Sequence, residues 1–431
     1  MKKTRILPLM CAAFLCGAFV FAQNADNSST NEDASIDDMF TESEDVHEAV
    51  KSEVKEEKFS DSMLFKTFSL TGNFKAEFGG FYNYSYSDNS DAGGVFSLEN
   101  TLFLSARASK DLSINGSVFT SLKDKFTISL KTLYFDYLIF DTIFVTAGKR
   151  SFTWGYPILF GNSDLYGGGK DSTNEYGLPY AGPLYTNILE ISDNHAVFQV
   201  KVPWTSGTFT AMALYDFDKL TGNASWKNLA YAGSLEFTIW NQIINIFGRT
   251  YAPHDIEKEI KADGTKVIEH DEKMHPILGL ETKRSILGTD FYAQSQIRMQ
   301  DFEEFNEANL DYIIATGGFY KLFDQFDPNI GFVIEYQYVY DPNLTKEMNH
   351  HNHKIAIEAG LRRLGKRKNL QAGIDWGHNF SSNSGTLAGA FYITDIFRHG
   401  KWKNLVGFSY GGVNETPKVM VGSIISISMS Y

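Results

Sequence analysis

Cysteine is nearly absent from this chain of 431 residues: the two that occur, Cys11 and Cys16, both lie within the first 22 residues. The remainder has no thiol, which excludes disulfides, thiol catalysis and cysteine-based metal sites there. Proline is also scarce, with 10 residues against 36 glycines. The chain also lacks an excess of basic over acidic residues. The formal net charge is −13, which argues against nucleic acid as a partner.

Long apolar runs are missing as well. After residue 22, no uncharged apolar stretch approaches the roughly 18 residues that a membrane-spanning helix needs. This excludes a helical protein with several membrane spans. The mean hydropathy of −0.23 is still compatible with a membrane β-barrel, because alternating apolar and polar residues average to a neutral value.

Residues 1–22 have the pattern of a cleaved secretory signal. A basic start is followed by an apolar centre at 6–21, and Val20 and Ala22 occupy the −3 and −1 positions of the cleavage site. A retained helical anchor and a lipoprotein are the alternatives. The apolar centre is short for a span, and the residues before the two cysteines suit a lipoprotein poorly.

Residues 23–65 are predicted to form an acidic, disordered leader on the periplasmic side. Between residues 24 and 58 there are twelve acidic and three basic residues, a formal charge of −9. Such a segment buries too little apolar surface to fold by itself.

From residue 66 the sequence alternates with a period of two. Successive side chains of a strand face opposite sides of a sheet, so one side of this stretch is apolar and the other polar. The apolar side carries Phe68, Leu70, Phe74, Phe78, Tyr82 and Tyr84.

The same alternation continues to the C terminus and predicts about eighteen strands (16–18) within residues 66–431. Short connectors alternate with longer, more polar ones such as 153–186, 252–274 and 341–353, the rhythm of an up-and-down barrel. Two connectors, 121–125 and 321–328, fit this rhythm poorly. In hydrocarbon a backbone N–H or C=O group finds no hydrogen-bond partner outside the protein. A sheet that spans the membrane must therefore close on itself. The predicted fold class is all-β: a closed antiparallel transmembrane β-barrel.

The last strand carries the most specific pattern. Ile425, Ile427, Met429 and Tyr431 alternate with serines, and the chain ends on the aromatic residue. This resembles the C-terminal β-signal of outer-membrane barrels, which the barrel-assembly machinery reads. Together with the signal and the strand rhythm, the chain resembles outer-membrane β-barrels of the bacterial porin type. The resemblance implies a channel in the bacterial outer membrane; a secreted β-sandwich or solenoid is the soluble alternative.

A barrel of this size leaves room for an aqueous lumen, whose lining determines what passes. Parity assigns nine acids and seven bases to the inner wall. This near balance suits small polar solutes and gives at most a weak cation preference. Many of these charges are expected to pair across strands. They are Glu77, Glu99, Asp136, Asp216, Glu236, Glu281, Glu335, Glu358 and Asp375, with Lys75, Arg107, Arg150, Arg249, Lys283, Arg298 and Arg362.

The longest connector, 153–186, follows the fifth predicted strand. In general porins, which this arrangement resembles in position only, the loop after that strand folds into the lumen and sets its constriction. The resemblance implies a pore constriction here, with a purely surface loop as the alternative. The candidate residues are Asp164, Lys170, Asp171 and Glu175 on the loop and Glu99, Arg107, Arg150 and Arg298 on the wall.

Other motifs give weaker evidence of function. Gly167–Lys170 lacks the strand and helix context of a phosphate loop, and the histidines at 350, 351 and 353 are interpreted as part of an exposed loop rather than a metal site. No catalytic set is evident, so neither an enzyme nor a cofactor is predicted.

The predicted function is passive diffusion of small hydrophilic solutes. A surface adhesin or ligand-binding barrel and a transporter of hydrophobic substrates remain as alternatives. The expected partners are outer-membrane lipid, the barrel-assembly machinery, small solutes and further copies of the chain.

Overall fold

A computed structural model describes much of the chain from residue 67 onward. The described residues are 67–85, 90–123, 125–150, 155–160, 195–216, 229–251, 254–260, 266–271, 273–302, 307–343, 350–365, 367–397, 399–411 and 417–431. The predicted signal and leader lie outside them.

The described residues form twenty strands. They are β1 (Thr67–Ser85), β2 (Asp91–Arg107), β3 (Leu112–Leu122), β4 (Phe126–Ile139), β5 (Ile143–Lys149), β6 (His195–Trp204), β7 (Gly207–Asp216), β8 (Ala230–Ile239), β9 (Gln242–Arg249), β10 (His254–Ile260), β11 (Lys266–Asp271), β12 (Ile277–Ile286), β13 (Thr289–Met299), β14 (Leu310–Phe323), β15 (Asn329–Tyr340), β16 (His351–Leu364), β17 (Leu370–Asn379), β18 (Ser384–Thr394), β19 (Gly400–Tyr410) and β20 (Lys418–Ser430).

Eighteen of these strands make one closed antiparallel barrel, which confirms the predicted fold class and strand number. Each strand pairs with the next along the chain, except that β9 pairs directly with β12. The ring closes where β1 pairs with β20, in a register that sets Asn73 opposite Ser430. Closure leaves no sheet edge with unpaired backbone groups.

The two faces of the wall follow the predicted alternation. Large apolar side chains are exposed on the outside, and Phe78, for example, is 70% exposed. The intervening inward positions carry most of the polar and charged side chains, together with a group of buried apolar ones. The outward set includes Phe68, Leu70, Tyr82, Phe96, Phe126, Ile128, Leu133, Phe198, Leu235, Ile246, Leu278, Ile374, Val406 and Val421.

A glycine lets the barrel close tightly at its seam. The backbones of Gly72 and Tyr431 exchange two hydrogen bonds, at 2.7 and 2.9 Å. The Tyr431 ring lies over Gly72, where a Cβ atom would come within 2.3 Å of the ring. The Tyr431 hydroxyl continues across β1 and donates to the side chain of Asn100, at 2.9 Å. Only glycine admits this path at position 72.

One connector differs from the prediction. Residues 252–274 were expected to be a loop, but they contain the two-stranded hairpin of β10 and β11, which lies outside the barrel sheet. A period-two pattern within a polar connector looks the same whether the strands join the barrel or pair only with each other.

Several short turns carry bulky residues in the left-handed region. Phe140, Trp240 and Leu287 have φ of 50°, 49° and 51° and each opens a tight turn between neighbouring strands. Two-residue hairpins, such as those at Trp240 and Leu287, favour Asn, Asp or Gly, and a bulky residue with positive φ is strained.

Among the described residues, no helix has the length and apolar character needed to cross a membrane.

Replacing Leu287 by Asn should stabilise the barrel. Leu287 is 91% exposed and precedes Gly288, whose φ is 66°, so the substitution creates an Asn-Gly turn of the favoured type. We expect the free energy of unfolding, measured by urea titration in lipid vesicles, to rise by about 1 kcal/mol.

Phe302→Asn is the control, because Phe302 is exposed but is not among the residues with positive φ. An equal gain in both variants would mean that loss of an exposed apolar side chain, and not relief of turn strain, stabilises the protein.

Candidate functional site

Among the described residues, seven of the sixteen charged side chains that parity assigned to the inner wall form ion pairs with a neighbour. Such pairing across strands was expected from the sequence, and it reduces the net charge that these residues present to the lumen. The ion pairs are Lys75–Glu77 at 3.0 Å, Lys123–Glu99 at 3.0 Å, Arg150–Asp136 at 3.2 Å, Lys283–Asp290 at 3.0 Å and Arg298–Asp311 at 3.1 Å.

Residues 155–160 lie against the inner wall on the side of the ring away from β5. They follow β5, yet the backbone N–H groups of Leu159 and Phe160 donate to Oε2 of Glu335 on β15, at 2.9 and 2.6 Å. The backbone N–H of Ile158 donates to the other oxygen, Oε1. Eight strand-to-strand steps separate β5 from β15 in a ring of eighteen, so these strands are nearly opposite each other.

The chain between β5 and Glu335 is long enough to reach this position. β5 ends at Lys149 and Ile158 is nine residues later, a stretch that reaches about 30 Å at full extension. A segment confined to the mouth above β5 would not meet a side chain on β15. The contact therefore places the beginning of the long connector inside the barrel.

Glu335 is a buried hydrogen-bond acceptor of the inner wall. It is 0% exposed, and its Oε1 also accepts a hydrogen bond from the hydroxyl of Tyr292, at 2.6 Å. Removing a carboxylate from water costs several kcal/mol, and the four donors offset this cost. Hydrogen bonds to a charged group contribute about 1.5–3 kcal/mol each. The segment and the buried carboxylate therefore stabilise each other.

A second carboxylate holds the beginning of the segment. Glu281 on β12 accepts from the backbone of Tyr156 and from the side chain of Asn245, at 2.6 Å. Gly155 lies beside it with φ of 108°, a conformation that suits glycine, and a Cβ there would lie 3.2 Å from the side chain of Gln294.

A third carboxylate contacts the side chain of the same residue. Tyr156 is hydrogen-bonded to Glu236 on β8, and burial, together with the charges of Glu281 and Glu236, raises the pKa of its phenol. Tyr156 therefore acts as a neutral donor at ordinary pH. We call Glu236, Glu281 and Glu335 the carboxylate anchor.

The inner wall above the carboxylate anchor is apolar. On the inward positions of β6 to β9, β12, β14 and β15, close to the ends that carry the longer connectors, buried apolar side chains form one cluster. Its members are Val197, Met212, Leu214, Ala230, Ala232, Phe247, Ile277, Tyr312, Ile314 and Val339.

Two arginines flank this apolar cluster. The guanidinium carbons of Arg249 and Arg298 lie 4.0 and 4.8 Å from the ring centroid of Tyr251. Arg298 also forms an ion pair with Asp311, which contacts Nδ1 of His275 at 2.8 Å. Cation–π contacts and ion pairing fix both guanidinium groups at the long-connector end of the lumen.

The predicted constriction residues are dispersed or undescribed. Asp164, Lys170, Asp171 and Glu175 lie outside the described residues. Of the wall residues, Arg107 is at the short-turn end of β2, where it donates to the carbonyl of Lys110 at 3.0 Å. Arg150, Arg298 and Glu99 are each in a separate ion pair, so the structure does not group the four wall candidates.

The predicted β-signal residues lie on the closing strand. Ile425, Met429 and Tyr431 are exposed on the outer face, and Ile427 shares their parity opposite Ala76 of β1. Recognition of these residues by the assembly machinery remains a prediction.

The segment that contacts the carboxylate anchor was not predicted residue by residue. Parity did assign Glu236, Glu281 and Glu335 to the inner wall, which is correct. Glu236 is hydrogen-bonded to the side chain of Tyr156. The segment's donors to the other two acids are backbone N–H groups, more than 120 residues away for Glu281 and 175–177 residues away for Glu335. Backbone donors leave no side-chain pattern, so only the inward parity of the three acids signalled the site.

Within the part of the chain that the structure describes, no three His, Cys, Asp or Glu side chains gather in a way that could hold a metal ion.

Known structures share the fold. Pseudomonas aeruginosa OccK8 (OprE) has a TM-score of 0.50 at 8% identity, covering 84% of this chain and 98% of that one. P. aeruginosa OccK3 (OpdO) has 0.49 at 10%, covering 85% and 97%. A mutant of Rh. blastica porin has 0.43 at 11%, covering 84% and 100%. At such identities, the likeness to OccK8 establishes a shared barrel fold alone.

No protein-family model matches the chain. No curated protein sequence matches it either.

Replacing Glu335 by Gln should weaken the contact that holds residues 158–160 against the inner wall. Glutamine would present an amide NH₂ group to three backbone donors, so at least one N–H of residues 158–160 loses its acceptor. We expect amide hydrogen exchange of these residues, measured by mass spectrometry on the barrel in nanodiscs, to accelerate by about tenfold or more.

Glu99→Gln is the matched control, because it removes an inward carboxylate that pairs with Lys123 on a sector distant from the segment. Unchanged exchange at residues 158–160 in the Glu335 variant would show that Glu335 does not hold the segment.

Proposed function

We propose that the protein is a porin-like channel of the bacterial outer membrane, through which small hydrophilic solutes diffuse passively. Connector 153–186 narrows its lumen, and the carboxylate anchor holds the beginning of this connector. In this proposal the chain is exported with a cleaved signal and assembled by the barrel-assembly machinery, and it catalyses no reaction.

The observation that carries the proposal is the contact between residues 158–160 and Glu335. A loop that merely covers the barrel from outside would need no buried acceptor on the opposite wall. A peptide fixed across a lumen reduces its cross-section and leaves a smaller passage beside it. This arrangement suits a pore that excludes solutes by size.

The proposed membrane location is argued from the residues on the outer face of the barrel. Exposed Phe, Leu, Ile and Tyr side chains surround the barrel, whereas soluble monomers rarely expose apolar patches larger than a few hundred Å². Burial of these side chains in hydrocarbon contributes about 25 cal/mol per Å². Closure of the sheet satisfies the backbone at the same depth.

The solute class follows from the paired inner charges. Because several acids and bases on the wall form ion pairs with each other, the lumen suits small polar molecules of either sign. The ion selectivity expected from such a wall is weak.

The apolar cluster on the inner wall favours a second candidate, a channel for solutes with an apolar part. Met212, Leu214, Phe247 and Ile277 belong to one continuous apolar surface, and polar residues such as Gln199 and Asn245 lie next to it along the strands. A solute-binding surface barrel without conduction is the remaining alternative, and conductance separates it from both channels.

Deleting residues 163–176 should widen the passage, since the proposal assigns this connector to the constriction. We expect single-channel conductance in planar bilayers to rise by about 1.5-fold or more, as pore conductance scales with cross-section. An unchanged conductance would reject insertion of the connector as the constriction, and a barrel that never conducts would reject the channel itself.

The control is a deletion of equal length, residues 256–269, which removes most of the β10–β11 hairpin. This hairpin lies outside the barrel sheet, so its loss should leave conductance near the value of the intact protein.

A further inference from the structure

Three histidines lie on the outer face of the barrel at its long-connector end. His351 and His353 begin β16, whereas the sequence pattern predicts them in the exposed loop before it, and His378 is near the end of β17. Their intervening neighbours Asn352 and Lys354 are buried on the inner side. Alternation therefore directs the histidines outward, toward the surroundings of the barrel.

Each of the three imidazoles meets a tyrosine hydroxyl through Nδ1. The pairs repeat across β15 to β19, and two of the tyrosines come from the strand next to β16. The oxygen-to-nitrogen distances are 2.6 Å for Tyr336–His353, 2.7 Å for Tyr338–His351 and 3.1 Å for Tyr410–His378.

At His378 a chain of hydrogen bonds is compatible with a proton on Nε2. Trp376 donates its indole N–H to the Tyr410 hydroxyl, at 3.1 Å. That hydroxyl can then donate its own proton to Nδ1 of His378, which leaves the ring proton on Nε2. Nε2 is on the side of the ring away from Tyr410, so the donor points away from the cluster.

A glycine makes the pair between Tyr410 and His378 possible. The two residues are on strands separated by β18, whose Gly385 is opposite both. A Cβ at Gly385 would come within 2.5 Å of the Tyr410 hydroxyl. The absence of a side chain lets the tyrosine reach over the intervening strand.

Among the described residues, the outward strand positions beside these histidines, in the long-connector half of β15 to β19, contain no Asp, Glu, Lys or Arg. The exposed Arg363 is at the opposite end of β16. At the rim, the carbonyl of Asp341 contacts His350, and Asp311 is paired with Arg298.

We propose that this outer cluster binds the phosphate headgroup of an anionic lipid, and that binding strengthens as the imidazoles become protonated. The inference rests on the proposed membrane location. Protonated imidazoles supply charge and N–H donors, which make strong hydrogen bonds to phosphate oxygens. The outward residues below the cluster, among them Ile334, Ile355 and Ile357, suit the acyl chains of the same molecule.

Charge favours a lipid over a second copy of the chain. A symmetric contact between two copies through this face would bring two sets of imidazoles together, and protonation would make them repel. A phosphodiester stays anionic across the range in which histidine changes charge, between about pH 5 and 8. Its attraction to the cluster therefore grows as the pH falls.

The test is lipid retention by the full barrel. The protein is placed in nanodiscs of equimolar phosphatidylglycerol and phosphatidylcholine at about pH 8 and about pH 5.5, and retained lipids are counted by native mass spectrometry. We expect the retained ratio of anionic to zwitterionic lipid to increase about fivefold at the lower pH. In His353→Phe/His378→Phe, which keeps two rings for stacking, the increase should fall below about twofold.

His399→Asn is the control, because it removes an exposed imidazole at the short-turn end, where its φ of 70° suits asparagine. It should keep the full increase. A ratio that does not depend on pH in the intact protein overturns the proposal without any variant. So does an equal increase in the double variant, or a stoichiometric complex of two chains that the double variant loses.

Conductance of the same protein variants in planar bilayers separates the lipid-binding proposal from the channel proposal. If the double variant conducts normally and loses lipid selectivity, both stand. If the intact protein retains anionic lipid at low pH but never conducts, the lipid site stands and the channel fails.

Discussion

The structure depends on one constraint: every backbone N–H and C=O in the wall must find its partner within the wall. Pairing of β1 with β20 satisfies this constraint, because it removes the last sheet edge. Once the ring is closed, the inner and outer faces are fixed for all residues by a period of two. The alternation of residue types from Thr67 onward is the consequence, and a slip of one residue would exchange the faces of a whole strand.

This periodicity explains why so much of the barrel was predictable. Strand number, antiparallel order and the inward placement of Glu236, Glu281 and Glu335 all follow from parity, and the structure confirms them. The inward or outward parity of strand residues does not show which part of the chain occupies the lumen. The connector was expected to meet the wall through charged side chains, whereas Glu335 binds the backbone of Ile158, Leu159 and Phe160. Backbone donors are present in every residue, so no sequence pattern marks them.

The carboxylate anchor shows how one wall can remain polar and yet hold a peptide firmly. Buried acids are tolerated when donors surround them, and an incoming segment with three consecutive unpaired N–H groups supplies such donors. The same acids without the segment would face either water or each other. Folding of the connector and the charge state of the inner wall are therefore linked, and neither is complete without the other.

In the proposed membrane location the outer face obeys a different rule, because hydrocarbon supplies no hydrogen bonds. A polar group there must bring its own partner, as the tyrosine hydroxyls do for His351, His353 and His378. Such pairs satisfy Nδ1 within the protein. In the proposed membrane location, the acceptor that we propose for the protonated cluster is the headgroup of a lipid, which meets the barrel where hydrocarbon gives way to water.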